Sequence, residues 1–328
     1  MAEYISSFIT GFEGVAARQI PRELGRAKII KVYDGLAHYA YAGSHSDVAR
    51  MPFVNNSFVI YMASRGGGLT FDKMVKEASG KAFRQAGGFR SFRVRFSREN
   101  EFEKVSGAVM ALAERAIIQN CGMRADRVNP ETEFWYIIRR EGVGFFGQLL
   151  KKRGAANLKK GELRPELACL LCLERGLGKT SVVCDPFAGY GSIPLYILNS
   201  GLFSTLYVND CDESCAAYLR GTPLGRDPRV VLTRADAARL THVGDGAVDA
   251  VITDPPWGFV NRYDDIAGFY LRALLELRRI IKSSGQIALL TGRPEEMAEA
   301  AGRASLDVAS RLNILVNGKK AGVITLTK

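Results

Sequence analysis

A short motif with several acceptor groups, Asp254-Pro255-Pro256-Trp257, directly follows the β-rich run at residues 248–253. The exocyclic amine of a nucleobase is a weak nucleophile because its lone pair is conjugated into the ring. If the Asp254 carboxylate and the Pro255 carbonyl accept its two N–H groups, the nitrogen becomes more tetrahedral and its lone pair can face a methyl donor. Pro256 would stiffen the turn, and Trp257 would stack on a base that has left its helix. The alternative is a structural turn with a packed tryptophan.

A second motif lies upstream, where a β-rich run ends in an acid and a Gly-x-Gly turn: Asp185-Pro186-Phe187-Ala188-Gly189-Tyr190-Gly191. Glycines at this place let the backbone approach a ligand closely at the carboxyl edge of a parallel sheet. The turn lacks the third glycine of a dinucleotide fold and the Gly-Lys-Ser/Thr of a phosphate loop. It therefore favours a ligand without a pyrophosphate.

Acids also follow the next two β-rich runs. Asp210 would hold ribose hydroxyls, and Asp236 would take an adenine amino group. Acids after three successive strands indicate an adenosyl ligand, S-adenosylmethionine, and Asp254 would lie beside this cofactor as well as beside the target base. For Asp212 and Asp236, capping of a turn or helix is an equally good interpretation.

The composition is that of a globular protein: 328 residues, 47% hydrophobic and 24% charged. No apolar run approaches the ~20 residues that cross a bilayer, and the start lacks the layout of a secretory signal. Six cysteines are too few for a disulfide framework. The pairs Cys169/Cys172 and Cys211/Cys215 have helical spacing, so we expect no metal site. These features predict a cytoplasmic protein with reduced cysteines.

The net charge of +11 is concentrated in one half of the chain. Residues 1–163 hold 26 Lys and Arg against 16 Asp and Glu, whereas residues 164–328 hold 19 against 18. Clustered cations favour a polyanionic partner because phosphate contacts release counterions. A solubilising surface is the alternative.

The second half alternates β-rich runs with helical stretches, which predicts an α/β fold with a parallel sheet and crossover helices. Tyr270, Leu274, Leu277 and Ile281 give one of these helices an apolar stripe. The runs 311–316 and 321–327 flank Asn317-Gly318, which predicts an antiparallel hairpin at the end of the chain.

The first half has an α+β pattern. Strands are expected at 5–10 and 37–41, and Pro21 is expected to interrupt the helix between them. Phe92, Val94 and Phe96 alternate with Arg93 and Arg95, so that one strand has an apolar and a basic face. Arg93, Arg95 and the basic run Lys151-Lys152-Arg153 would contact phosphates; a charged edge that prevents aggregation is the alternative for the strand.

Residues 161–328 resemble the Rossmann-type, S-adenosylmethionine-dependent amino-methyltransferases, and Gly161-Glu162-Leu163-Arg164-Pro165-Glu166-Leu167-Ala168 resembles the lead-in of their RNA guanine-N2 branch. Residues 4–25 and 92–150 resemble the ferredoxin-like and THUMP RNA-binding domains of that branch. Phe8-Ile9-Thr10-Gly11-Phe12-Glu13-Gly14-Val15 and Val128-Asn129-Pro130-Glu131-Thr132-Glu133 carry this likeness.

The resemblance implies four parts: a ferredoxin-like domain at 1–62, a THUMP-like domain at 63–152, a basic linker at 153–163 and a methyltransferase domain at 164–328. The last would be a mostly parallel seven-stranded sheet with a C-terminal antiparallel hairpin.

The resemblance also implies an RNA (guanine-N2)-methyltransferase with tRNA as the favoured substrate. It places Asp185 and Gly189 at the methionine end of the cofactor, Asp210 at the ribose, Asp236 at the adenine, and Asp254, Pro255 and Trp257 at the target base. Pro186, Phe187, Ala188 and Gly191 complete the cofactor turn. The family usually has a small residue where Tyr190 stands, and this ring would either crowd the methionine pocket or point outward.

Other functions stay open. One alternative substrate is rRNA instead of tRNA, and another is an adenine or cytosine amine in DNA. A catalytically silent RNA-binding protein with the same fold is a third interpretation. The sequence does not indicate the modified nucleotide, the number of methyl groups, the oligomeric state or a protein partner.

Overall fold

The computed structural model describes residues 1–151, 158–159, 161–258, 265–316 and 318–328, with the backbone alone at residue 151. The chain divides into two compact units, Met1–Phe8 with Ala16–Gly154 and Ile9–Val15 with Ala155–Lys328.

The first 151 residues form nine strands and four helices. In chain order they are β1 (Ala2–Ser7), α1 (Glu13–Leu24), β2 (Lys28–Tyr33), β3 (Leu36–Tyr41), α2 (His45–Arg50), β4 (Ser57–Arg65), α3 (Phe71–Ser79), β5 (Ser91–Arg98), β6 (Glu101–Phe102), α4 (Gly107–Cys121), β7 (Arg124–Ala125), β8 (Thr132–Arg139) and β9 (Val143–Lys151). The strands make one sheet in the order β2-β3-β1-β4-β9-β8-β5-β6, with β7 beside β5.

This sheet crosses the expected boundary between residues 1–62 and 63–152, because β4 pairs with both β1 and β9 in antiparallel register. The strands on both sides of this boundary thus belong to one continuous sheet, and the division into a ferredoxin-like and a THUMP-like domain stays a prediction. The predicted apolar face of β5 is confirmed: Phe92, Val94 and Phe96 are buried in a core shared with α3 and α4.

Helix α1 continues through Pro21 to Leu24, so the expected interruption is wrong. Proline removes one backbone donor and costs roughly 3 kcal/mol inside a helix. Val15 and Ile20 on the same helix are fully buried, and each such side chain contributes about 1.5–3 kcal/mol. Packing of the apolar face therefore offsets the cost of the proline.

The second unit contains the elements β10 to β16 and α5 to α9. They are α5 (Pro165–Arg175), β10 (Val182–Asp185), α6 (Ser192–Ser200), β11 (Thr205–Asn209), α7 (Glu213–Arg220), a 3-10 turn (Pro223–Gly225), β12 (Val230–Thr233), β13 (Val248–Thr253), α8 (Ile266–Ile280), β14 (Ile281–Thr291), α9 (Pro294–Arg303), β15 (Asp307–Val316) and β16 (Lys319–Thr327).

Seven strands form the sheet of this unit, in the order β12-β11-β10-β13-β14-β16-β15. The first five are parallel, and β16 is antiparallel to both of its neighbours. The Rossmann-like α/β fold and the terminal hairpin are thus confirmed, as a mixed sheet. Asn317 of the predicted turn lies outside the described residues.

Helix α8 covers one face of this sheet. Tyr270, Leu274, Leu277 and Ile281 are all buried as the stripe predicts, and Ile281 is both the C-cap of α8 and the first residue of β14. Because β10 to β13 are parallel, their carboxyl ends lie at one edge of the sheet. This edge brings together the loops that contain the predicted cofactor and target-base residues.

Candidate active site

Asp185 ends strand β10 and is buried, with 1% of its surface exposed. Its Oδ1 accepts hydrogen bonds from the Thr253 hydroxyl at 2.6 Å and from the Phe187 N–H at 3.2 Å. Burial raises the pKa of Asp185 to about 7, although these two hydrogen bonds act in the opposite direction. A cationic ligand group beside this carboxyl would favour its ionised form. The Thr253 bond also joins the end of β10 directly to the end of β13.

The glycine turn after Asp185 is held from the neighbouring strand. The Gly189 N–H donates to Asp210 Oδ2 at 2.7 Å, and the Ala188 N–H donates to the Asn209 carbonyl at 3.0 Å. Gly191 has a φ of +91°, and a Cβ there would lie 2.7 Å from Leu219 Cδ2. A Cβ at Gly189 would meet no atom within 4 Å, so the turn leaves open space at this position. These features suit a ligand that approaches the backbone closely.

Asn209 is a buried residue of this site that the sequence did not indicate. Its Nδ2 donates to the carbonyls of Pro186 at 3.1 Å and Ala235 at 3.0 Å, and its Oδ1 accepts from the Thr233 hydroxyl at 3.0 Å. The side chain therefore joins the cofactor turn after β10 to the loop after β12.

We expect Asn209→Ala to lower the free energy of unfolding of the second unit by about 2 kcal/mol, because the carbonyls of the buried Pro186 and the half-buried Ala235 lose a donor. The Thr233 hydroxyl loses one partner but keeps its hydrogen bond with His242. Urea denaturation followed by circular dichroism measures this change. Ser204→Ala, on an exposed hydrogen bond of the same unit, serves as the control and should cost less than about 1 kcal/mol. Equal costs for the two variants would contradict the role assigned to Asn209.

The other two predicted cofactor acids differ in their surroundings. Asp210 is half-buried and uses both oxygens, since Oδ1 accepts from the Asp212 N–H at 2.9 Å. Asp236 is exposed, and its Oδ1 accepts from the Ala238 N–H at 2.9 Å, as in a turn cap. Asp212 caps α7 through the N–H groups of residues 214 and 215. Contacts of Asp210 with ribose and of Asp236 with adenine stay predictions.

The motif after β13 is held by its own side chains, by α8 and by the residue that precedes α9. The Trp257 indole N–H donates to Asp254 Oδ1 at 2.7 Å. Burial raises the pKa of Asp254 to about 7, and the indole bond lowers it in part. The Tyr270 hydroxyl donates to the Pro256 carbonyl at 2.8 Å, and Arg293 Nε donates to the Trp257 carbonyl at 2.8 Å.

These bonds distinguish the three consecutive carbonyls of the motif. Those of Pro256 and Trp257 are taken by Tyr270 and Arg293, whereas no donor among the described residues bonds the carbonyl of the buried Pro255. Asp254 Oδ1 is held by the indole, which fixes the orientation of the carboxyl group. The helical stripe at Tyr270 predicted a core residue, and only the structure shows that its hydroxyl supports the motif.

The raised pKa values of two carboxyls predict how stability depends on pH. Asp185 and Asp254 bind protons more tightly in the folded than in the unfolded state, so their stabilising contribution is complete below pH ~4 and is lost as the pH rises through about 7. We therefore expect the free energy of unfolding of the second unit to fall between pH 5 and pH 8. Denaturant titrations at four pH values measure this slope. In Asp254→Asn the slope should be smaller, and an unchanged slope would contradict the assignment.

Arg93 and Arg95, the predicted phosphate-binding residues of the first unit, contact other side chains of the protein. Glu133 lies opposite Arg93 in the pairing of β5 with β8, and its Oε1 accepts from Arg93 Nε at 3.0 Å. Arg95 Nε lies 3.9 Å from Glu133 Oε2, and its guanidinium lies over the Phe102 ring. The exposed fractions of the Arg93 and Arg95 side chains are 20% and 34%. Their contact with RNA stays a prediction.

The remaining predicted RNA contacts cannot be placed. Lys152 and Arg153 lie outside the described residues, and so does the side chain of Lys151. Within the described ranges, no group of three His, Cys, Asp or Glu side chains is arranged to hold a metal ion. Each described helix is too short or too polar to cross a lipid bilayer.

Residues 223–321 match a protein family described as UPF0020, RMKL-like, methyltransferase domain. The matched residues include Asp236 and the motif 254–257, on the edge of the sheet described above. Residues 223–321 of the second unit are thus similar to a methyltransferase domain. The predicted cofactor, S-adenosylmethionine, is confirmed, and the buried Asp185 and the open glycine turn suit it.

Solved structures of the same fold extend over the whole chain. TrmN from Thermus thermophilus is 21% identical, with a TM-score of 0.81 and 100% of both chains covered. SMU.472, a methyltransferase in complex with SAH, is 10% identical, with a TM-score of 0.70 and coverage of 99% of this chain and 98% of that one.

A protein from Listeria monocytogenes described as an N6-adenine-specific DNA methylase is 13% identical, with a TM-score of 0.71 and coverage of 99% and 95%. At these identities the likeness shows the fold alone. No curated protein matches this sequence.

Proposed function

We propose that this methyltransferase transfers a methyl group to the exocyclic N2 amine of a guanosine in a structured RNA, with tRNA as its substrate. The observation that carries the proposal is the pair of acceptors at Asp254 and Pro255. The Trp257 indole orients the Asp254 carboxyl. Of the three consecutive carbonyls at residues 255–257, the Pro255 carbonyl is the one that accepts no hydrogen bond from a described donor. Two adjacent acceptors match the two N–H groups of an amine.

The methyl donor and the amine would meet where β10 and β13 end. The hydrogen bond from Thr253 to Asp185 fixes the cofactor turn beside the motif. S-adenosylmethionine supplies a methyl group bonded to a cationic sulfur.

Asp254 and Pro255 would hold the amine so that its lone pair faces the methyl group, which S-adenosylmethionine would supply with its sulfur as the leaving group. The nitrogen then loses one proton to the Asp254 carboxylate, whose raised pKa suits it to accept a proton near neutral pH.

The RNA part of the proposal rests on charge and on sequence resemblance. Residues 1–163 carry most of the net charge of +11, and this half resembles RNA-binding domains. Folded RNA is bound mainly through shape and phosphate contacts, which a basic unit provides. We place the protein in the cytoplasm, where such RNA is present.

A second candidate is methylation of an adenine amine in DNA. It is favoured by the Listeria monocytogenes structure, whose description names that reaction, and an acceptor pair recognises an amine more than a particular base.

Incubation with radiolabelled S-adenosylmethionine and separate pools of unmodified tRNA, rRNA and DNA distinguishes the candidates. Label in tRNA supports the first candidate, and label in DNA alone supports the second. Binding of SAH without label in any pool would favour a catalytically silent RNA-binding protein. Asp254→Ala protein serves as the control for contaminating activity.

A further inference from the structure

Tyr190, the bulky residue of the cofactor turn, is in contact with two side chains of the second unit. Its ring is perpendicular to that of Tyr218 on α7, with the centroids 5.5 Å apart. The Lys159 ammonium lies 4.3 Å from the Tyr190 ring centroid and 3.2 Å from the Tyr218 ring centroid. Perpendicular aromatic pairs and cations over ring faces are favourable arrangements.

The backbone around Tyr190 would be difficult to fix without such contacts. Gly189 and Gly191 on either side have φ values of +53° and +91° and lose much conformational freedom when the turn forms. The Gly189 N–H is bonded to Asp210, a predicted ribose-binding residue. Tyr190 is therefore the residue of the Gly-Tyr-Gly turn whose side chain can anchor it.

Lys159 connects this turn to the segment before α5. Its own N–H donates to Glu162 Oε2 at 2.8 Å, and the Leu163 carbonyl nearby accepts from the Ser192 hydroxyl, directly after the turn, at 2.7 Å. The turn is thus contacted both from α7 and from the lead-in of the methyltransferase domain.

We propose that Tyr190 is a positioning residue for the cofactor: Tyr218 and Lys159 hold its ring and thereby fix the glycine turn in its cofactor-binding conformation. The alternative, a ring that crowds the cofactor pocket, makes the opposite prediction for its removal. The inference rests on the S-adenosylmethionine cofactor and not on the proposed RNA target, so a wrong target base would leave it unaffected.

Calorimetric titration of SAH into the full-length protein tests this inference. Tyr190→Ser is expected to weaken binding about 5- to 10-fold, and Tyr190→Phe less than about 2-fold because its ring keeps both contacts. Tyr218→Ala should weaken SAH binding about 3- to 5-fold when Tyr190 is present. The same substitution should change SAH binding less than about 2-fold when it is added to Tyr190→Ser, because the Tyr190 ring that it contacts is already absent. Lys159→Met should weaken binding more than Lys179→Met, a matched exposed lysine.

Each alternative has its own outcome. Tighter binding by Tyr190→Ser would mean that the ring crowds the pocket, and the inference would be wrong. A full Tyr218→Ala effect that persists in Tyr190→Ser would mean that the two rings act independently, which also overturns it. A stoichiometry near one site per chain shows that a variant is folded, so that a change in affinity is not confused with partial unfolding.

Discussion

Replacement of Asp254 by alanine is expected to lower the rate of methyl transfer by about 1,000-fold or more while SAH affinity changes less than about 3-fold. The variant loses an acceptor that orients the amine in the transition state, and loss of one such preorganised group typically costs 100- to 1,000-fold, about 3–4 kcal/mol. It also loses the group that takes the proton. Single-turnover assays with labelled cofactor measure the rate, and calorimetry measures the affinity.

Two further variants test whether the effect is specific to the Asp254 carboxyl: Asp254→Asn changes its charge, and Asp245→Ala is a control at another acid. Asparagine keeps one acceptor oxygen, so it should retain more activity than alanine but lose the rise in rate that the wild type shows as the pH increases through about 7. Asp245 is an acid of the same unit with 81% of its side chain exposed, and its replacement should leave the rate within about 2-fold. If Asp254→Ala lost turnover and cofactor binding to the same extent, the proposed contact of Asp254 with the amine would be contradicted.

Asp185→Asn is expected to weaken SAH binding by about 10- to 100-fold. A hydrogen bond from a ligand ammonium to a buried carboxylate contributes roughly 1.5–3 kcal/mol, which a neutral amide does not supply. The fold should survive, because the asparagine oxygen can still accept from Thr253 and Phe187 and because the burial that raises the pKa of Asp185 also disfavours its charged form. Calorimetry and thermal melting measure the two effects separately.

The pH dependence of cofactor binding provides an internal check on this prediction. In the wild type, affinity should increase as the pH rises through about 7, since only the ionised carboxyl pairs with a cation. In Asp185→Asn this increase should be smaller. Asp212→Asn, which alters an exposed helix cap, should bind SAH within about 2-fold of the wild type. Full affinity in Asp185→Asn would show that this carboxyl does not contact the cofactor.

The parallel sheet of the second unit was predictable from the sequence because the relevant signals are local. Alternating β-rich and helical runs imply parallel strands, parallel strands place their ends together, and acids stand at those ends. Asp185, the last residue of β10, and Asp254, which directly follows β13, therefore lie at the ends of neighbouring strands, as expected. The hairpin at the end of the chain was predictable for the same reason, since the turn residues are adjacent to the strands that they join.

Other features depend on partners distant in sequence. Asn209, Tyr270 and Arg293 support the site through bonds to backbone carbonyls 14 to 36 residues away, and no local pattern indicates such bonds. In the first unit, the register of β5 against β8 places Glu133 opposite Arg93, so an apparently basic face is partly neutralised. Strand alternation identified that face but could not show which acid lies beside it.

The identity of the methylated nucleoside tests the central claim most directly. After reaction of tRNA with radiolabelled S-adenosylmethionine, complete digestion and chromatography against standards would locate the label. A pair of acceptors at Asp254 and Pro255 predicts label on an exocyclic amine, and the proposed guanosine target predicts that the labelled nucleoside is N2-methylguanosine. Label in a base methylated on a ring nitrogen or carbon, or on a ribose hydroxyl, would contradict the account, because none of those groups presents two N–H bonds to this pair.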